Sequence, residues 1–212
     1  MNPNTCTVCE MMFTKVMRAT KISVDVSVLF ADLRGYTALS EALPQAQIGA
    51  DLDVFYDECA SAIWEYDGLL NKTIGDAIMA VFNFPIRQAD HPARAVEAGR
   101  QIHRRCREQH RLLAESLDCE AEALGIGIGI DSGVVSFGEF GRSHRDLTAI
   151  GTVVNTAARA QSAAQAGQIL VTRAVRERGG ADLAESKGQL YTLKGLAEAV
   201  ELYGASQLPI AR

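Results

Sequence analysis

The stretch from Ser27 to Tyr36, SVLFADLRGY, constrains this chain more than any other. Its apolar run reads as a buried strand ending at Asp32, and Gly35 frees the backbone to turn sharply into a helix. A carboxylate at a strand end, followed by a turn whose N–H groups face the same way, suits a metal ion with a phosphate chain. Taken singly, it is more simply read as an aspartate that caps the next helix. The remaining segments decide between the two.

A chain of 212 residues, 48% hydrophobic, is the size of one compact domain with short extensions. The expected division is a short N-terminal arm at 1–22, a domain at 23–205 and a tail at 206–212. No apolar run approaches the roughly 18 residues a membrane span needs. The first residues show no charged segment followed by a long apolar one, so a cytoplasmic location without a signal peptide is expected. A net charge of −5 argues against broad nucleic-acid binding but leaves room for a local nucleotide pocket. Five cysteines, an odd number, argue against a disulfide framework. Cys59 and Cys106 fall on apolar helix faces and read as core. Cys6 and Cys9 form a CxxC in the arm; tail thiols are the simpler reading, and a zinc site shared by two chains is the alternative.

The spacing predicts a first strand over Val24–Leu33, preceded by an arm with basic residues. A helix follows over Pro44–Tyr66, where Ile48, Leu52, Phe55, Cys59 and Ile63 recur at three and four residues on one face. Leu69–Ile74 and Ala77–Phe82 flank Gly75-Asp76, a two-residue hairpin signal. A second long helix runs from His91 to about Leu117 with Ala95, Ala98, Ile102 and Cys106 facing inward. Ala121–Asp131 reads as a strand with Gly125, Gly127 and Gly129 spaced two apart, so that a helix or a ligand can pack close on that face. A turn at Asp131–Gly133 and a short strand Val134–Phe137 come next, then LTAIG and a helix over Thr152–Ala164 with Thr152 as its N-cap. Strand Gln168–Val171, a short helix near Arg173–Arg178 and a hairpin of Gln189–Leu193 with Val200–Tyr203 close the chain. The order β-α-β-β-α-β with additions is an α+β class, ferredoxin-like βαββαβ core with extra C-terminal strands.

In such a sheet the strand ending at Asp32 neighbours the hairpin carrying Asp76, so the two carboxylates approach one another. Paired aspartates with open coordination positions are what a two-ion phosphoryl-transfer site requires. Gly-Asp is also ordinary turn chemistry. Asn155 and Arg159, four apart on one helix, share a face, and an amide with a guanidinium suits a ribose and a phosphate. Capping or a surface ion pair explains either residue alone.

The segments VLFADLRGYTALSE, LLNKTIGDAIMAVF, GIGIGIDSGVVSFGEFG, LTAIGTVVNTAARAQS and LYTLKGLAEAVELY, in that order, resemble the catalytic domain of class III adenylyl/guanylyl cyclases from about Val24 to Tyr203. The resemblance implies that Asp32 and Asp76 bind two divalent cations, Mg2+ or Mn2+, with the Leu33 carbonyl as a further ligand. It implies that the turn Leu33, Arg34, Gly35, Tyr36 and Thr37 cradles the triphosphate, and that Lys72 and Thr148 read the purine edge. Asn155 would orient the ribose, Arg159 would stabilise charge on the transferring phosphorus, and Lys194 would bind phosphate.

These identities choose the base on chemical grounds. Lys72 donates and cannot accept, which suits adenine N1; guanine N1 carries a proton and calls for a carboxylate. Thr148 can accept from the adenine amino group, although its hydroxyl can also donate. ATP is therefore the expected substrate and cyclic AMP with pyrophosphate the products. The family's shared sites imply a head-to-tail homodimer with two equivalent sites and inactive monomers. Guanylyl cyclase activity, or a silent nucleotide-binding module, are the alternatives. The segment Ser136–Phe140 is bulkier than the small-residue turn usual in the family, which bears on the dimer interface.

Overall fold

The computed structural model describes residues 15, 21–36, 44–117, 125–141, 146–184, 186–193 and 198–206. In chain order the elements are β1 (Ile22–Arg34), α1 (Gln45–Glu65), β2 (Leu69–Ile74), β3 (Ala77–Phe82), α2 (His91–Leu117), β4 (Gly125–Phe140) and β5 (Asp146–Ile150). They continue with α3 (Thr152–Ala163), β6 (Ile169–Thr172), α4 (Arg173–Arg178), α5 (Ala181–Ala184), β7 (Gly188–Tyr191) and β8 (Val200–Gly204). Eight strands form one sheet in the order β2-β3-β1-β4-β6-β8-β7, with β5 paired to β4. The portion β2-β3-β1-β4 is the strand order of a ferredoxin-like βαββαβ unit, as the sequence pattern predicts. Among the described residues no helix is long and apolar enough to cross a membrane.

Period-two alternation divides the sheet into two faces. Leu29, Ala31, Ile78, Ala80, Ile126, Ile128 and Ile130 meet α1 and α2 through Phe55, Cys59, Ile63, Ala98, Ile102 and Cys106 in one buried cluster. Cys59 and Cys106 are free thiols in that core, and burial pushes the Cys59 thiol well above its usual pKa. On the opposite face Val26, Val28, Phe30, Met79, Val81, Val135 and Phe137 pack with Ala149 of β5 and with Val153 and Ala157 of α3. Each fully buried aliphatic or aromatic side chain here contributes about 1.5–3 kcal/mol by leaving water.

Three expectations need correction. The turn at Asp131–Gly133 is absent: β4 is one continuous strand, paired antiparallel with β1 from Ile22↔Phe137 to Arg34↔Gly125. The polar residues that signal a turn are satisfied inside the protein instead. Asp131 accepts from Thr172 Oγ1 at 2.6 Å and from the Ser132 N–H at 2.8 Å, and the Ser132 hydroxyl bonds to Ser27. The segment Ser136–Phe140 is likewise strand rather than turn, paired with β5 from Ser136↔Ile150 to Phe140↔Asp146. Gly151, not Thr152, is the N-cap of α3, and no side chain caps it.

A polar seam crosses the end of the sheet remote from Asp32. His91, at the start of α2 and 1% exposed, lies with its Nδ1 2.8 Å from Ser27 Oγ and its Nε2 2.8 Å from Arg178 Nη2. Because the guanidinium only donates, Nε2 is the acceptor and Nδ1–H donates to Ser27. Burial first, then the Arg178 charge, hold this imidazole below its usual pKa, against the pull of Asp25.

Candidate functional site

Asp32 and Asp76 are brought together as the hairpin reading predicts. In the sheet Asp32 lies opposite Ala77 of β3 and Gly127 of β4. The Leu33 N–H donates to the Asp76 carbonyl at 3.2 Å, which fastens the hairpin tip to the end of β1. The N–H and C=O of one strand residue point to the same strand edge, so the Leu33 carbonyl also faces the hairpin. Gly75 reaches the tight turn with φ +60°, and Tyr56 of α1 donates its hydroxyl to the Gly75 carbonyl. Burial and then the neighbouring Asp76 charge raise the Asp32 carboxyl above its usual pKa, opposed by a hydrogen bond from Gln161 and by Arg34.

The Asp32 carboxylate is held from two sides. Gln161 Nε2 donates to Oδ2 at 2.7 Å, and Arg34 Nη1 lies 3.3 Å from the same oxygen. Arg34 also donates to the Gln161 carbonyl. Leu33 and Arg34 are thus still strand, and the backbone leaves it at Gly35, with φ +77°. Tyr36 follows; burial and then Asp76 raise its phenol pKa. Thr37 and Lys194 lie outside the described residues, as do Cys6 and Cys9.

The residues expected to read a purine meet across β2 and β5. Lys72 pairs with Asp146. Thr148 Oγ1 donates to Asn71 Oδ1 at 3.0 Å, while Asn71 Nδ2 donates to the Leu147 carbonyl at 2.9 Å. The β2–β3 register shifts between Leu70 and Lys72, and a bulge there re-aims the Asn71 side chain toward β5. Lys72 lies opposite Met79, and Asp32 lies two residues beyond Phe30. Both Met79 and Phe30 face the α3 side, so Lys72 and the Asp32 carboxylate share that face.

On α3 Asn155 is exposed and Arg159 half-exposed, and the side chain of neither bonds to another described residue. Sequence reasoning missed Asn71, Asp146 and Gln161. The glycine ladder was the one signal that pointed to the last, since it announces a close helix without saying which. A Cβ at Gly129 would lie 2.0 Å from the Gln161 nitrogen and 2.3 Å from the Ala157 carbonyl oxygen, so α3 rests directly on that glycine.

No group of three or more His, Cys, Asp or Glu side chains suited to a metal occurs among the described residues. Two carboxylates and a backbone carbonyl are instead a partial set of hard oxygen donors. Such a set fits Mg2+ or Mn2+, which take one or two protein carboxylates and complete their shell with phosphate oxygens and water. The Asp76 charge, which after burial raises the Asp32 pKa, fits the same assignment, because two close carboxylates favour a divalent countercharge.

Comparison with known proteins shows the family and the fold. The family model described as the adenylate and guanylate cyclase catalytic domain matches residues 11–203. An adenylate cyclase of Anabaena cylindrica is 33% identical over 153 residues, covering 71% of this chain and 30% of that protein. The receptor-type guanylate cyclase Gyc76C of Drosophila melanogaster is 30% identical over 193 residues, covering 88% of this chain and 12% of that protein. This chain spans less than a third of the length of the curated relatives it matches. Among solved structures, the guanylyl cyclase Cya2 superposes with a TM-score of 0.76 at 26% identity, over 86% of this chain and 92% of that one. The adenylyl cyclase CyaB from P. aeruginosa gives 0.74 at 27% identity, over 87% and 95%.

Proposed function

The chain belongs to the adenylate and guanylate cyclase catalytic domain family, and from that premise we propose that it converts ATP to 3′,5′-cyclic AMP and pyrophosphate at sites shared by two copies in a head-to-tail homodimer. The observation that carries the choice of ATP is the Asn71–Thr148 hydrogen bond. Asn71 spends its amide donor on the Leu147 carbonyl, so its oxygen faces Thr148 and takes the hydroxyl hydrogen. The Thr148 lone pairs are left to accept from the adenine amino group, and Lys72 donates to adenine N1. Guanine would present a carbonyl and an N–H at those places.

In this reading the ribose 3′-oxygen attacks the α-phosphorus. A new O–P bond forms, the bond from the α-phosphorus to the bridging oxygen breaks, pyrophosphate leaves and the hydroxyl proton passes to solvent. Asp32, Asp76 and the Leu33 carbonyl would hold the cations. When bound, Mg2+ or Mn2+ supplies Lewis-acid polarisation of the hydroxyl and of the phosphate oxygens. Asn155 orients the ribose, and Arg159 offsets charge developing on the transferring group. The turn of Arg34, Gly35, Tyr36 and Thr37 receives the triphosphate, with Lys194 as a further cation.

One observation favours a second reading, guanylyl cyclase activity. Asp146, paired with Lys72, is a carboxylate at the purine edge and could accept from guanine N1–H. Cyclic nucleotide production by purified protein, with ATP and GTP offered separately in Mg2+ and in Mn2+, separates the two. Turnover of ATP over GTP, lost in Asp32→Ala, is expected. Preference for GTP would overturn the base assignment, and silence from a protein shown to be dimeric would leave a nucleotide-binding module.

A further inference from the structure

We propose that Gln161 is a positioning residue for catalysis: its side-chain amide fixes the rotamer of Asp32 so that the carboxylate is aimed at the cation. The inference rests on the reading of Asp32 as a metal ligand. A carboxylate has two oxygens and turns freely unless one is tied down. Gln161 Nε2 ties Oδ2 at 2.7 Å from a side chain that is 7% exposed. A carboxylate accepts only, so the amide must present its N–H there. Arg34 touches the same oxygen at 3.3 Å, but as a cation it competes with a metal. The neutral amide orients Asp32 without cancelling its charge, as outer partners of metal ligands commonly do.

The backbone is built to allow this contact. Glycine at 129 lets α3 approach β4 until the Gln161 backbone nitrogen occupies the space a Cβ would need. Gly127, opposite Asp32 in the β1–β4 ladder, leaves room for the Arg34 guanidinium that bonds the Gln161 carbonyl. At 3.6 residues per turn, Gln161 projects from α3 roughly opposite to Asn155 and Arg159. In a head-to-tail dimer those outward residues serve one site while Gln161 steadies the aspartate of the other. One helix then links the two sites.

The test is Mn2+ affinity, read by electron paramagnetic resonance in the presence of 3′-deoxy-ATP, which lacks the attacking hydroxyl and cannot turn over. Gln161→Met keeps the volume and removes the donor; Gln161→Asn keeps an amide too short to reach and serves if the first variant fails to fold. Asp32→Asn is the control for the metal site. About tenfold weaker Mn2+ binding in the Gln161 variant, with Asp32→Asn weaker still and melting temperatures near wild type, is expected. Wild-type Mn2+ affinity in a folded Gln161 variant, with Asp32→Asn impaired, overturns the role of Gln161 alone. Undiminished affinity in Asp32→Asn overturns the metal assignment and this proposal with it. A lowered melting temperature with unchanged affinity would make Gln161 structural only.

Discussion

Thr148 gives its hydroxyl hydrogen to Asn71, Oγ1 to Oδ1 at 3.0 Å, and so meets the solvent side as an acceptor. Asn71→Ala frees the hydroxyl to donate as well. The expected outcome is a fall of about tenfold in the ATP-over-GTP ratio of kcat/KM, the worth of one hydrogen bond, with ATP turnover largely kept. Paired kinetics on the two nucleotides measure it. An unchanged ratio would mean that the base is chosen elsewhere, with Asp146 the next residue to test.

His91 makes stability depend on pH. Unfolded, the imidazole takes up its proton near the ordinary value of 6.5; folded, it resists until lower pH, since it is buried and its Nε2 faces the Arg178 guanidinium. The contribution is therefore whole above pH 6.5 and is lost as pH falls through 6.5 toward the lowered folded value. Asp25, Asp90 and Ser27 also face the ring. Thermal melts between about pH 5 and 8 should show a downward slope on acidification, flattened in His91→Asn. Asp25 enters the same window only weakly, because Arg178 holds its carboxyl below the usual range.

Glycines at two places should respond in opposite directions. Gly129→Ala drives a Cβ into the backbone of α3, 2.0 Å from the Gln161 nitrogen, where no side chain can swing away. A loss of about 2–3 kcal/mol is expected from overpacking. Gly49 sits within α1, and a Cβ there meets nothing within 4 Å. Gly49→Ala should stabilise by about 0.5–1 kcal/mol through helix propensity. Urea denaturation of both variants reads the two signs directly.

The apolar periodicities carried the architecture because they are local. Ile48, Leu52, Phe55, Cys59 and Ile63 announce one helix face from spacing alone, and Gly75-Asp76 announces the hairpin that sets Asp76 beside Asp32. Asp131 and Ser132 misled because their partners, Thr172 and Ser27, come from strands remote in sequence. Polar residues with satisfied bonds can continue a strand where their chemistry signals a turn. Gln161 and Asn71 escaped for the same reason. Each is an ordinary polar residue until the sheet brings Asp32 or Thr148 within 3.0 Å. The glycine ladder is the intermediate case: it showed that something packs close, and only the fold identified α3.

The proposed shared-site homodimer makes a quantitative demand. If Asp32 comes from one copy and Arg159 from the other, Asp32→Ala and Arg159→Ala homodimers each have two broken sites. A mixed dimer collects both lesions in one site and leaves the second intact. Equal mixing with free exchange makes half of all dimers mixed, each with one working site of two, so about a quarter of wild-type activity should return. Two inactive preparations that regain activity on mixing, as read by cyclic nucleotide production, would support the head-to-tail arrangement. If both residues served the site of their own chain, a mixed dimer would have no intact site and mixing would restore nothing. Size-exclusion chromatography of each variant beforehand excludes loss of the dimer as the reason for silence.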